Sequence, residues 1–174
     1  MISILLNPKT SEYLSLKEKL NGSYIPWFYH PSSTSDEMDG YTNNPIYQHM
    51  ILEGPNPNNG SFIPVPKSEL IGLCEKVIGQ IFQSNEISAK HIHRICANVV
   101  HYYDGIPSVP HVDHEDIVHK NMVIYLNSFT KGEIEVSGSL YKPMEDDIIT
   151  FTGYHSVHQP GPGDRRVVLV ATYS

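Results

Sequence analysis

The chain has 174 residues, enough for one domain with a substantial core and short for two. Hydrophobic residues make up 40% and charged residues 18%, which excludes wholesale disorder. Lys and Arg number 12 against 19 Asp and Glu, a formal net charge of -7, the wrong sign for gripping duplex nucleic acid or an anionic membrane surface. No window approaches the roughly 18 consecutive apolar residues of a membrane span. The opening Met1-Ile2-Ser3-Ile4-Leu5-Leu6 lacks a basic segment and reads as a first strand rather than an export signal, so a cytoplasmic protein is expected.

In chain order, Ile2 to Leu6 is predicted as a short strand. Thr10 to Leu20 carries apolar residues at helical spacing and stops at Asn21-Gly22, a helix-ending pair. Ile25 to Tyr29 is strand-like. Pro31 to Pro45, rich in Ser, Asp and Asn, is a long polar loop, and Tyr47 to Leu52 returns as a strand. A second loop, Gly54 to Pro66, leads to a helix opened by Ser68 and Glu69. Its apolar face is Leu70, Ile71, Leu73, Cys74, Val77, Ile78, Ile81 and Phe82. From His91 the texture becomes β-rich: His91 to Tyr103, Asn121 to Asn127, Gly132 to Ser137, Asp147 to Phe151 and Arg166 to Tyr173. The expectation is a single domain, 1–174, in which 1–90 is a helix-containing support and 91–174 a β core. Cys74 and Cys96 lack metal-ligand spacing and are expected to be reduced core residues.

The chemistry begins at His111-Val112-Asp113. On a strand, residues two apart share a face, so this imidazole and carboxylate can converge on one ion. Two nitrogens and one carboxylate with open positions suit non-haem Fe(II). His114-Glu115-Asp116 repeats the pattern three residues on, so the pattern alone does not choose. A third ligand must come from elsewhere, and His155 and His158 both follow the apolar run Ile148-Ile149-Thr150-Phe151. Arg165 opens the last strand ten residues beyond His155, and a buried Arg there would grip a dicarboxylate through a bidentate fork. Arg166 is its rival, because adjacent strand residues face opposite ways and only one can enter a pocket.

From about Val99 to Thr172 the chain resembles the 2-oxoglutarate- and Fe(II)-dependent dioxygenases, most closely their prolyl 4-hydroxylase-like branch. The resemblance rests on Tyr102-Tyr103-Asp104-Gly105, His111-Val112-Asp113, Tyr125-Leu126-Asn127, His155-Ser156-Val157 and Gly163-Asp164-Arg165, in that order. It implies a mainly-β jelly roll, the double-stranded β-helix of a cupin-like barrel, with flanking helices. It assigns iron to His111, Asp113 and His155, with His158 as the rival ligand. The cosubstrate 2-oxoglutarate falls to Arg165 and Tyr125, and Tyr102 is expected to line the pocket. Fe(II), 2-oxoglutarate and O2 are the implied cofactor and cosubstrates, ascorbate is a candidate reductant, and hydroxylation would release succinate and CO2. The chain departs from the family pattern at Lys131-Gly132-Glu133, where Gly-Gly-Glu is usual. It departs again at Asp146-Asp147, where Gly-Asp is common, and at Pro160, which falls one place late behind His158-Gln159.

Two other classes compete. A cupin-like barrel binding metal without redox turnover would keep the three ligands and not need Arg165 or Tyr125. A zinc hydrolase would use His91, His93, His111, Asp113 and His114. The substrate expected is a peptide, prolyl by resemblance, or a small molecule, with the two long loops as candidate lids; oligomeric state is left open.

Overall fold

The computed structural model describes residues 1–32, 40–41, 44–55 and 63–174. Its elements are β1 (Ser3–Leu5), α1 (Ser11–Asn21), β2 (Phe28–His30), β3 (Ile46–Glu53), β4 (Val65–Pro66), α2 (Ile71–Ser84), β5 (Ile92–His101), β6 (Lys120–Tyr125), β7 (Ile134–Val136), β8 (Ser139–Tyr141), β9 (Ile148–Phe151), β10 (His155–Val157) and β11 (Arg165–Tyr173). The strands form two antiparallel sheets. The larger runs β1-β9-β6-β11-β5-β3-β2, with β4 on β3, and the smaller runs β10-β7-β8.

The middle strands of the large sheet are apolar on both faces because both faces are covered. On β11, Val167, Leu169 and Ala171 pack with Met122 and Ile124 of β6 against the helices. The intervening Val168, with Val123 and Tyr125, faces the small sheet and meets Ile134, Val136, Ile149 and Phe151. Both helices lie on the first face, α1 through Tyr13, Leu16 and Leu20 and α2 through Cys74, Val77, Ile78, Ile81 and Phe82. Burial pushes the Cys74 thiol up to about 12, and both cysteines are buried and free. The result is the expected jelly roll with helices on one outer face. Among the described residues no helix is long and apolar enough to cross a membrane.

Local differences from the sequence expectation have local causes. α1 begins after Thr10, whose hydroxyl accepts from the Tyr13 N–H at 3.2 Å. At its other end Gly22 is extended (φ -81), not left-handed; the Asn21 amide closes the helix by donating to the carbonyls of Lys17 and Leu126. α2 starts at Ile71, because the Ser68 hydroxyl takes the Leu70 N–H into a turn of its own first. The strand expected over Gly132 to Ser137 is β7, and it turns on Ser137-Gly138 (φ 50 and 80) into a further strand, β8, that the sequence did not announce.

Candidate metal and cosubstrate site

A cavity of about 300 Å³ opens between the two sheets. Its large-sheet wall comes from alternate residues of neighbouring strands. Gln48 of β3, Asn98 of β5, Val168 of β11 and Tyr125 of β6 are register partners across the sheet, and all four line the cavity. His155 and Val157 of β10 and Ile134 of β7 close the opposite side.

The structure brings His111, Asp113 and His155 together on this cavity. The two histidines are cross-strand neighbours: each backbone N–H donates to the other's carbonyl at 2.9 Å, and their rings lie 4.5 Å apart. The Nδ1 of His111 is 2.8 Å from the Val109 carbonyl. That oxygen can only accept, so Nδ1 carries a proton and Nε2 is the ring nitrogen left to face a ligand. His155 is 7% exposed, and burial holds its imidazole down at about 4, with the Asp113 carboxylate opposing and His111 reinforcing. The ring is therefore neutral at pH 7. Asp113 is pushed up by burial, but Arg94, His155 and His111 outweigh this and hold it at about 2, so it is ionised. Its Oδ2 lies 3.9 Å from His155 Nε2, and its Oδ1 is ion-paired with Arg94.

Two imidazoles and one carboxylate on a concave wall are the donor chemistry of a non-haem Fe(II) centre. As it stands, no three such side chains among the described residues are drawn tightly enough to cage an ion. His111, Asp113 and His155 are gathered, with Asp113 turned toward Arg94.

The arginine expectation is corrected. Arg165 is exposed and donates to the Asn21 carbonyl on the helix side, whereas Arg166 is 4% exposed and lines the cavity. Even-numbered residues of β11 face the cavity, as Val168 and Val170 do, and this parity selects 166. Arg166 Nη1 donates to the carbonyls of Gly132 and His158, and its buried Nε has no partner among the described residues. The start of β11 is laced to the loop after β6. Asn127 Nδ2 donates to the Arg165 carbonyl, its Oδ1 accepts from Val167 N, and Asp164 accepts from the Thr130 N–H and hydroxyl. Burial lowers the Arg166 pKa while Tyr125 and Glu133 support its charge. Tyr125, 2% exposed, has its hydroxyl pushed up by burial and stays protonated.

The remaining sequence candidates lie elsewhere. Tyr102 is 41% exposed and does not line the cavity; its ring lies over Gly105, whose φ is +78. His158 is also off the cavity; its main chain ties Glu133 and Arg166 instead. The five residues of a zinc hydrolase divide between two cavities, with His111 and Asp113 in the first and His91, His93 and His114 in the second. The greater part of both candidate lid loops lies outside the described residues, although Asn44 and Ile46 reach the cavity wall. Sequence reasoning missed Arg94, Asn98 and Gln48, which alternation along β5 and β3 places on the inner face. It also missed Gln159, a buried amide described below.

No family model matches the sequence and no curated protein matches it. Solved structures do. A 2OG-Fe(II) oxygenase family protein from Burkholderia pseudomallei superposes with TM-score 0.61 at 18% identity, covering 92% of this chain and 78% of that one. A prolyl hydroxylase from Trichoplax adhaerens, in complex with a hypoxia inducible factor peptide fragment, gives 0.59 at 13%, covering 99% and 82%. The non-haem α-ketoglutarate-dependent epimerase SnoN of nogalamycin biosynthesis gives 0.59 at 11%, covering 99% and 77%. The cavity described above therefore sits in the double-stranded β-helix fold that this chain shares with 2-oxoglutarate- and Fe(II)-dependent oxygenases.

Proposed function

We propose that the protein is an Fe(II)- and 2-oxoglutarate-dependent oxygenase. It hydroxylates a C–H bond of a small-molecule or peptidyl substrate and releases succinate and CO2. The observation that carries this reading is the convergence of His111, Asp113 and His155 with the buried pair Tyr125 and Arg166 on one cavity. A barrel that merely bound metal would not need a desolvated guanidinium there, since burying a cation is costly unless something anionic meets it. The peptide bound to the Trichoplax protein supports a peptidyl substrate, and the epimerase relative shows that the same fold hosts other outcomes.

His111, Asp113 and His155 would hold Fe(II), which with 2-oxoglutarate and O2 supplies the oxidising chemistry. Arg166, fixed by two main-chain carbonyls, offers its free N–H groups to the distal carboxylate of 2-oxoglutarate, and the protonated Tyr125 hydroxyl offers another donor. Val123, Ile134, Phe151 and Val168 line the surrounding wall and exclude water from it. The amide pair of Gln48 and Asn98, joined at 3.1 Å, supplies polar groups to the substrate side.

The test is an anaerobic titration of metal-free protein with Fe(II) and then 2-oxoglutarate, following the visible charge-transfer band. The band is expected in wild type and His158→Ala and absent in His155→Ala. Iron binding without a band at any 2-oxoglutarate concentration would overturn the cosubstrate assignment in favour of the metal-binding barrel.

A further inference from the structure

Arg94 stands apart from the residues already assigned. It projects from β5 into the cavity, where its guanidinium engages Asp113 Oδ1; among the described residues its buried Nε meets no partner. Its cross-strand register partner on β11 is Thr172, whose hydroxyl is 2.8 Å from His114 Nε2. One cross-strand pair thus holds two consecutive residues of the metal loop, Asp113 through Arg94 and His114 through Thr172. The oxygen of Asp113 that Arg94 takes is Oδ1, and the one left near His155 is Oδ2.

We infer that Arg94 is a positioning residue that keeps Asp113 a one-oxygen ligand, so that the metal retains the positions a two-point chelating cosubstrate needs. The inference rests on the oxygenase reading above. A carboxylate free to turn can bind a metal through both oxygens, and each extra oxygen occupies a coordination position. Arg94 removes that option by engaging Oδ1 with a charge-assisted hydrogen bond, the kind of outer partner that orients a ligating group. A guanidinium serving structure alone could be replaced by an apolar side chain at little cost once the metal neutralises Asp113. The positioning role makes the opposite demand: its loss should appear in cosubstrate binding and leave metal binding intact.

The experiment compares wild type with Arg94→Met and Arg94→Gln in two anaerobic titrations. The first is Fe(II) alone, by competition with a chromophoric chelator; the second is 2-oxoglutarate added to the Fe(II)-loaded protein, read by the charge-transfer band. The expected result is Fe(II) affinity equal to or tighter than wild type, since a cation near the metal is gone. The 2-oxoglutarate needed for half-saturation should rise about 10- to 100-fold. Arg94→Lys, which keeps the charge, should recover part of that loss. If Arg94→Met does not fold, Arg94→Gln, which stays polar but is neutral and two bonds too short to replace the guanidinium at Asp113 Oδ1, decides alone. Unchanged 2-oxoglutarate binding in the variants would overturn the inference and leave the oxygenase reading standing. A tenfold loss of Fe(II) affinity would also overturn it, because Arg94 would then serve to retain the metal. Wild-type protein that binds Fe(II) and shows no band would overturn both.

Discussion

Replacing Arg166 by Gln while leaving Arg165 intact, and then the reverse, tests the cosubstrate anchor against its neighbour one residue away. Arg166 is 4% exposed, and Nη1 is held at 3.1 Å from the Gly132 carbonyl and 2.9 Å from that of His158, so little ordering entropy remains to be lost when an anion arrives. Removing one partner of a buried charge pair costs about 3 to 5 kcal/mol, and about 1.4 kcal/mol is a factor of ten. Arg166→Gln should therefore raise the 2-oxoglutarate requirement by at least about 100-fold. Arg165 is exposed and spends its guanidinium on the Asn21 carbonyl, so Arg165→Gln should change it by less than about threefold. The assay is the charge-transfer titration, run beside thermal unfolding. Arg166→Gln also deprives two carbonyls of a donor and should lower stability by about 1 to 3 kcal/mol. A 100-fold loss in Arg165→Gln with Arg166→Gln normal would refute the inward parity of β11, and no loss in either would place the anchor elsewhere.

Three further outcomes follow from named contacts. Gln159, 3% exposed, accepts from the N–H groups of Tyr103, Asp104 and Gly105 and donates to Asn44, Asp104 and the Ile106 carbonyl; Gln159→Leu should cost about 2 to 3 kcal/mol in denaturant unfolding. Asp146 meets Tyr13, Lys17 and Lys9, and although burial raises its pKa these partners hold it at about 2. Its folded value lies below the unfolded value of about 3.9, so its contribution is full above pH 4 and fades as pH falls toward 2. After discounting for solvent this is on the order of 1 kcal/mol, and Asp146→Asn should flatten the acid limb of an unfolding-against-pH curve. Gly132 has φ +76, and a Cβ there would stand 2.9 Å from the Phe129 ring, so Gly132→Ala should lose about 1 to 2 kcal/mol and raise the 2-oxoglutarate requirement by shifting the carbonyl that holds Arg166; unchanged melting would refute it.

The helices and main strands were legible because their apolar residues recur at 3.6 or fill whole strands, and the pairing of His111 with Asp113 because its pattern is local. The arginine was not. Val167 to Ala171 is apolar at every position, so no polar face betrays the phase of β11, and Arg165 and Arg166 look alike until the register with Tyr125 is known. Tyr102 failed for a related reason: the turn at Gly105 carries its ring over the loop and away from the cavity. Two of the departures from the family pattern, Lys131 and Asp146, fall on backbone with φ 57 and 71. Glycine suits such positions because it lacks a Cβ, and a side chain there needs compensation. Asp146 has it in Tyr13, Lys17 and Lys9. The late proline has its reason in Gln159, whose amide fills a ring of three main-chain N–H groups. Arg94 carried no signal of its own, since a charge near the start of a strand reads as an edge residue until the partner loop is folded over it.

The reciprocal main-chain bonds between His111 and His155 divide the site into a half set by sheet geometry and a half set by a side-chain ion pair. The two imidazoles are spaced by sheet geometry, whereas Asp113 belongs to a connecting segment and answers to Arg94. If the centre holds a metal as proposed, cations of different radius, such as Co(II), Ni(II) or Zn(II) in place of Fe(II), would meet a histidine pair whose spacing the sheet fixes, and any adjustment would fall to the segment carrying Asp113 and to its ion pair with Arg94. Under the proposed function, discrimination among metals would then depend on how firmly Arg94 holds one acidic side chain.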